Sequence, residues 1–102
     1  MVNRAIIYMQ EHYCDSDLSL VKLAQEIHVS APYLSNLFKV EKNVNFTEYL
    51  LQLRMEQAKK LLKNTEKKTY EIAEEIGFLN SHYFSSCFKK YTGQTALSFR
   101  KE

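Results

Sequence analysis

Apolar positions recur with a helical period along nearly the whole chain. Ile6, Ile7, Met9, Gln10 and Tyr13 outline a first amphipathic segment, and Asp15-Ser16-Asp17 breaks it. Ser19 is placed to cap a second helix, with Leu18 and Leu23 as a hydrophobic staple across the cap. Leu20, Leu23, Ala24 and Ile27 form its expected buried face. His28-Val29 then makes a tight turn, and Ser30 caps a third helix, with Val29 and Leu34 as its staple. Pro32 falls in the first turn of that helix, where a missing N–H costs little. Leu34, Leu37 and Phe38 point inward, and Asn43 suits a left-handed end.

Asn45 with Glu48 resembles a capping box and opens a long helix to about Lys63. Its expected apolar positions are Phe46, Tyr49, Leu50, Leu53, Ala58, Leu61 and Leu62. Asn64 is the expected stop, and Glu66-Lys67-Lys68 the expected exposed linker. After it the earlier pattern returns. LAQEIHVSAPYLSNLFK is echoed by IAEEIGFLNSHYFSSCFK. Ala24, Glu26 and Ile27 pair with Ala73, Glu75 and Ile76; Tyr33, Ser35, Phe38 and Lys39 pair with Tyr83, Ser85, Phe88 and Lys89. The two sets differ by one residue in offset, and the slip falls in the turn. One supersecondary unit therefore occurs twice, joined by a long helix.

Each copy reads as helix, short turn, helix: a helix-turn-helix whose second helix offers its outer face to a DNA major groove. Gly77 suits the second turn because it accepts positive φ, and His28 takes the equivalent place in the first. In residues 30–41 the positions not spent on the core are Ala31, Pro32, Ser35, Asn36 and Lys39; in residues 80–91 they are Ser81, His82, Ser85, Ser86 and Lys89. These are small or polar, and no large apolar side chain is expected to intrude. Asn pairs with adenine, Ser donates or accepts, and Lys reaches guanine or phosphate. A connecting helix over residues 46–63 is about 27 Å long. With packing offsets this sets the two reading helices about 34 Å apart, one turn of B-DNA.

Composition and charge narrow the class. With 102 residues, 45% hydrophobic and 25% charged, the chain reads as one small globular domain. Two Gly and one Pro argue against a β-sandwich or a Gly-rich phosphate loop. The apolar runs are too short for a spanning helix, and Met1 to Tyr13 does not read as a signal peptide, so a cytoplasmic location is expected. The net charge of +2 is uneven: Arg4 and Lys22 stand against Glu11, Asp15, Asp17 and Glu26 in residues 1–30, and the remainder is basic. Basic residues come in pairs, Lys59-Lys60, Lys67-Lys68, Lys89-Lys90 and Arg100-Lys101. Cys14 and Cys87 complete no metal set; Cys87 is an expected core residue. No metal or cofactor is expected.

The segments LSLVKLAQEIHVSAPYLSNLFK, NFTEYLLQLRMEQAKKLL and IAEEIGFLNSHYFSSCFKKYTGQT, with the closing Phe99-Arg100, together resemble the DNA-binding domain of AraC/XylS-type transcription regulators. NFTEYL and the YLS of the third helix are most similar to output domains of YesN-type two-component response regulators. The resemblance implies an all-α fold of seven helices, with two helix-turn-helix subdomains (1–45 and 65–102) bridged by a linker helix (46–64). It also implies a regulatory domain, receiver or ligand-binding, N-terminal to this chain. Carried over position by position, base contacts fall on Pro32, Ser35 and Asn36, then on Ser81, His82, Ser85 and Ser86. Lys39, Lys89 and Lys90, with amides at the helix starts, would hold phosphates. Arg54 is expected to hold the linker helix against a subdomain. Many members of the family carry Arg where Asn36 and Ser86 stand, which implies weaker binding and a lean toward A·T-containing sites. Pro is usual at Ala96; Thr95 should cap the last helix regardless.

Two other classes fit the sequence less well. An enzyme needs convergent groups in a pocket, and His12, His28 and His82 lie on separate segments with no partnered spacing. A helical protein-interaction module without DNA affinity needs an exposed apolar patch; Leu51 and Met55 are the candidates, for contact with RNA polymerase, a regulatory domain or a second subunit, and core packing or ordinary exposure is the favoured reading of both. Double-stranded DNA is the expected partner.

Overall fold

Serine, threonine and asparagine side chains punctuate the helices where local capping chemistry requires. In the computed structural model, which describes residues 2–102, Ser19 Oγ accepts from Lys22 N–H at 3.1 Å and Ser30 Oγ from Tyr33 N–H at 3.2 Å. Asn45 Oδ1 accepts from Glu48 N–H at 2.8 Å, and Thr95 Oγ1 from Ser98 N–H at 3.1 Å. Each satisfies an amide that the first turn of a helix leaves without a partner. Met1, the first residue of the expected first subdomain, lies outside the described residues.

Among the described residues seven helices result: α1 Val2–His12, α2 Leu20–Glu26, α3 Ala31–Lys42, α4 Phe46–Asn64, α5 Thr69–Glu75, α6 Ser81–Thr92 and α7 Ala96–Lys101. Among the described residues there is no strand. α3 ends on Asn43 at φ 59° and α6 on Gly93 at φ 84°, both left-handed. Asn64 is the last residue of α4 rather than its stop. Thr65 ends the helix, returning its N–H (3.0 Å) and its hydroxyl (2.6 Å) to Leu61 O.

Two hydrophobic cores form. α1 packs on α2 and α3, and α2 on α3, around Met9, Leu23, Leu34 and Phe38. α5 packs on α6, and α7 on α6 and α4, around Ile72, Ile76, Phe84 and Phe88. α4 serves both. Phe46 and Leu50, with Leu53 at the margin, enter the first core; Met55, Ala58 and Leu62, with Leu51 at the margin, enter the second. At about 100° per residue these two stripes lie roughly 150° apart around α4. The helix therefore runs between the units with nearly opposite faces buried, and the molecule extends 42 × 22 × 21 Å.

Met55 is fully buried and Leu51 packs beside it, so they pack in the core, as favoured over an exposed patch. Two sequence expectations are corrected. Ile7 is 56% exposed. The buried stripe of α1 is Ala5–Met9, and Ile7, two residues from each, points the other way. The Asn45–Glu48 box closes through the Asn45 side-chain amide, which donates to Glu48 Oε1 at 3.1 Å, rather than through the backbone. No helix among the described residues is long and apolar enough to cross a membrane.

Candidate nucleic-acid interface

α3 and α6 each bury one stripe, Leu34 and Phe38 in one, Phe84 and Phe88 in the other. The same twelve-residue length and the same phase leave matched outer faces. On α3, Pro32, Asn36 and Lys39 are exposed and Ser35 is half-buried. On α6, His82, Ser85, Ser86, Lys89 and Lys90 are exposed and Ser81 is half-buried. All ten residues singled out from the sequence thus lie on the outward sides of two equivalent helices, four on α3 and six on α6. Among the described residues no group of three or more His, Cys, Asp or Glu is placed to hold a metal ion.

The faces are less uniformly small than the sequence reading expected. Tyr33 is 50% exposed and Tyr83 65%, at matching positions one residue after Pro32 and His82. Val40 is exposed as well, at the repeat position that Lys90 fills in the second copy. The repeat had already paired the tyrosines, and that recurrence was the signal for assigning them a role. Their hydroxyls are of the kind that reaches phosphate oxygens. The neighbouring Cys87, one turn further along α6, raises the Tyr83 phenol above its ordinary value.

The amides at the helix starts are largely spoken for. Ser30 takes the Tyr33 amide, Asn80 Oδ1 takes those of His82 (2.8 Å) and Tyr83 (3.1 Å), and Pro32 has none. Lysines therefore carry most of the attraction for phosphate. Here the structure separates the basic pairs. Lys59 is ion-paired with Glu56 at 3.0 Å and lies over the Tyr91 ring. Lys67 is ion-paired with Glu75. Arg100 turns inward, its Nε donating to Leu62 O at 3.0 Å and its Nη2 to Thr65 O and Lys67 O, so that it ties α7 to the end of α4. Lys39, Lys89 and Lys90 have no carboxylate partner among the described residues. These three free charges lie on the outer faces of α3 and α6; Lys60, Lys68 and Lys101, elsewhere on the molecule, also lack a carboxylate partner among the described residues.

Arg54 is not part of that face. It is half-buried, burial lowers its pKa from the ordinary guanidinium value, and it donates to Tyr13 O and Asp15 O, each at 2.9 Å. This agrees with the positioning role expected for it.

A family model described as a helix-turn-helix domain matches residues 23–102. The C-terminal domain of AraT, a response regulator from Geobacillus stearothermophilus, is 42% identical, covers 98% of this chain and 83% of that one, and superposes with a TM-score of 0.96. The chain belongs to the AraC-type helix-turn-helix family. A second neighbour is the C-terminal domain of the two-component response regulator yesN from Fusobacterium nucleatum, 43% identical over 96% of this chain and 95% of that one, with a TM-score of 0.92. The likeness to YesN-type output domains read from NFTEYL and YLS is thereby upheld. Among curated relatives, the HTH-type transcriptional regulator YijO of Escherichia coli is 38% identical over 93% of this chain. The AraC-type chain spans 33% of that protein's length.

Proposed function

We propose that this AraC-type chain binds double-stranded DNA as the output module of a transcription regulator, with α3 and α6 entering two successive major grooves. One observation carries the reading: two equivalent helices present matched polar faces, on which Lys39, Lys89 and Lys90 have no carboxylate partner among the described residues. The long axis of 42 Å leaves room for reading helices about one turn of B-DNA apart. Pro32, Ser35, Asn36, Ser81, His82, Ser85 and Ser86 are assigned to base edges. Lys39, Lys89 and Lys90, joined by Tyr33 and Tyr83, are assigned to the backbone. The working division is 1–45 for the first reading unit, 46–64 for the helix between them and 65–102 for the second. A regulatory domain N-terminal to this chain, contact with RNA polymerase, a cytoplasmic location and the absence of an enzymatic role belong to the same reading.

The test is fluorescence anisotropy on random-sequence and selected duplexes over a salt series. Affinity should fall with a log–log slope of about −0.9 per phosphate neutralised. Asn36→Ala should cost about 1–3 kcal/mol on the selected site and leave random-sequence binding unchanged. No duplex affinity even at low salt would overturn the proposal and favour the protein-interaction module.

A further inference from the structure

The two reading units touch at a junction in the middle of the connecting helix, where Phe78 also meets the Tyr83 ring, 5.8 Å between centroids. Arg54 sits in the middle of α4, between Leu50 of the first core and Met55 of the second. Its hydrogen bonds go to Tyr13 O and Asp15 O, in the loop between α1 and α2 of the first unit. The same guanidinium lies over the Phe78 ring, 5.7 Å from its centroid, and Phe78 belongs to the second core. Gly77, in the turn between α5 and α6, closes the junction. A Cβ there would stand 2.7 Å from Tyr13 O and 3.1 Å from both Arg54 Nε and Nη2. The Tyr13 ring packs against both cores, and burial raises its pKa. One side chain on the connecting helix thus binds the loop of one unit and the turn of the other.

A lone helix between two units leaves them free to swivel as it bends and twists. A second point of attachment removes that freedom. When two linked units bind one ligand, the second event is governed by the effective concentration of the second unit at its own half-site. A stiff junction raises that concentration at one spacing and lowers it at all others.

We infer that the Tyr13–Arg54–Gly77 junction sets the disposition of α3 relative to α6, so that the chain selects DNA sites by the spacing of their half-sites, with Arg54 as the positioning residue. This rests on the DNA-binding reading above. Arg54 touches no base or phosphate in this scheme; it acts through the backbone carbonyls and the aromatic ring that it holds together.

The experiment compares the unaltered chain, Arg54→Met and Arg54→Lys on three duplexes: a selected two-half-site duplex, the same duplex with two base pairs inserted between the half-sites, and one with a half-site scrambled. The unaltered chain should lose roughly 10²-fold in affinity on insertion. Arg54→Met should lose about tenfold at the native spacing, show an insertion penalty of only a few fold, and match the unaltered chain on the scrambled duplex. Arg54→Lys, able to reach one carbonyl, should fall between. Equal losses for Arg54→Met on all three duplexes, or an unchanged insertion penalty, would overturn the inference. If the unaltered chain binds duplexes but ignores the insertion, spacing selection fails while the DNA-binding reading stands. If it binds no duplex, the DNA-binding reading fails. The junction is then judged without DNA, by electron–electron distance distributions between nitroxides at Glu41→Cys and Glu71→Cys in a Cys14→Ser, Cys87→Ser background. Arg54→Met should broaden that distribution, and an unchanged width would refute the junction as well.

Discussion

The two helix-turn-helix units follow the same backbone path through their turns and fill them differently. In the first, Ile27, His28 and Val29 lead to the cap Ser30; in the second, Ile76, Gly77, Phe78 and Leu79 lead to the cap Asn80. Val29 donates to Ala24 O at 3.0 Å and Phe78 to Ala73 O at 2.9 Å. These are the same bond in each copy, so the repeat stays in register through Phe78. Leu79 is the extra residue. It is 90% exposed, which is how an insertion enters the turn without shifting either core. His28 and Gly77 occupy the same place with positive φ, 62° and 101°. His28 faces solvent, whereas Gly77 is buried against the first unit. Local conformation made both turns; tertiary contact decided which could carry a side chain.

The cores differ in the same direction. Phe84 is flanked by Phe78 and Phe88, ring centroids 5.4 and 5.9 Å away, and Phe88 by Phe99 at 5.5 Å. Its counterpart in the first unit is Leu34, equally buried. Phe84→Ala should cost about 3–5 kcal/mol and Leu34→Ala about 2–5 kcal/mol in denaturant unfolding. Hydrogen exchange sharpens the comparison. With Phe84→Ala, amides of α6 should lose protection before those of α3, and with Leu34→Ala the order should reverse. Equal loss in both units in both variants would mean that they open as one block.

Gly77→Ala is the next largest effect. The left-handed backbone costs a residue with a side chain about 1–2 kcal/mol, and the Cβ must also displace Tyr13 O or Arg54. Together these should destabilise the chain by about 2–4 kcal/mol, measured by the unfolding midpoint. A loss no greater than the conformational cost would show that the two units give way easily at the junction.

Much of this was legible in the sequence, for identifiable reasons. The caps at Ser19, Ser30, Asn45 and Thr95, the left-handed Asn43 and the two copies all follow from residues close in sequence, and all are seen. What was not legible depends on distant partners. Met55 lies on a face of α4 that has no core until α5 and α6 fold against it. The Glu66-Lys67-Lys68 stretch is the linker expected, with Glu66 and Lys68 exposed, but nothing local shows that Arg100 binds the backbone carbonyl of Lys67. The candidate interface was legible as a pair of faces. Which lysines remain free on it was not, because the ion pairs and ring contacts that occupy Lys59 and Lys67 cross between segments or turns. Gly77 was read as a turn glycine; the approach of Tyr13 from the other unit has no local trace.

The smallest effect separates the two reasons for that glycine. His28→Gly relieves the left-handed strain and adds freedom to the unfolded chain, and these oppose each other. The balance should favour the folded state by about 0.5 kcal/mol, a rise in Tm of roughly 2–4 °C. His28 is exposed and makes no side-chain hydrogen bond among the described residues, so the change reports the backbone alone. Subtracting it from the cost of Gly77→Ala leaves the part due to contact between the units. A fall in Tm for His28→Gly would mean that the imidazole holds its turn together. The first turn could then no longer serve as the reference for the second, and the excess at Gly77 could not be assigned to the contact with Tyr13 and Arg54.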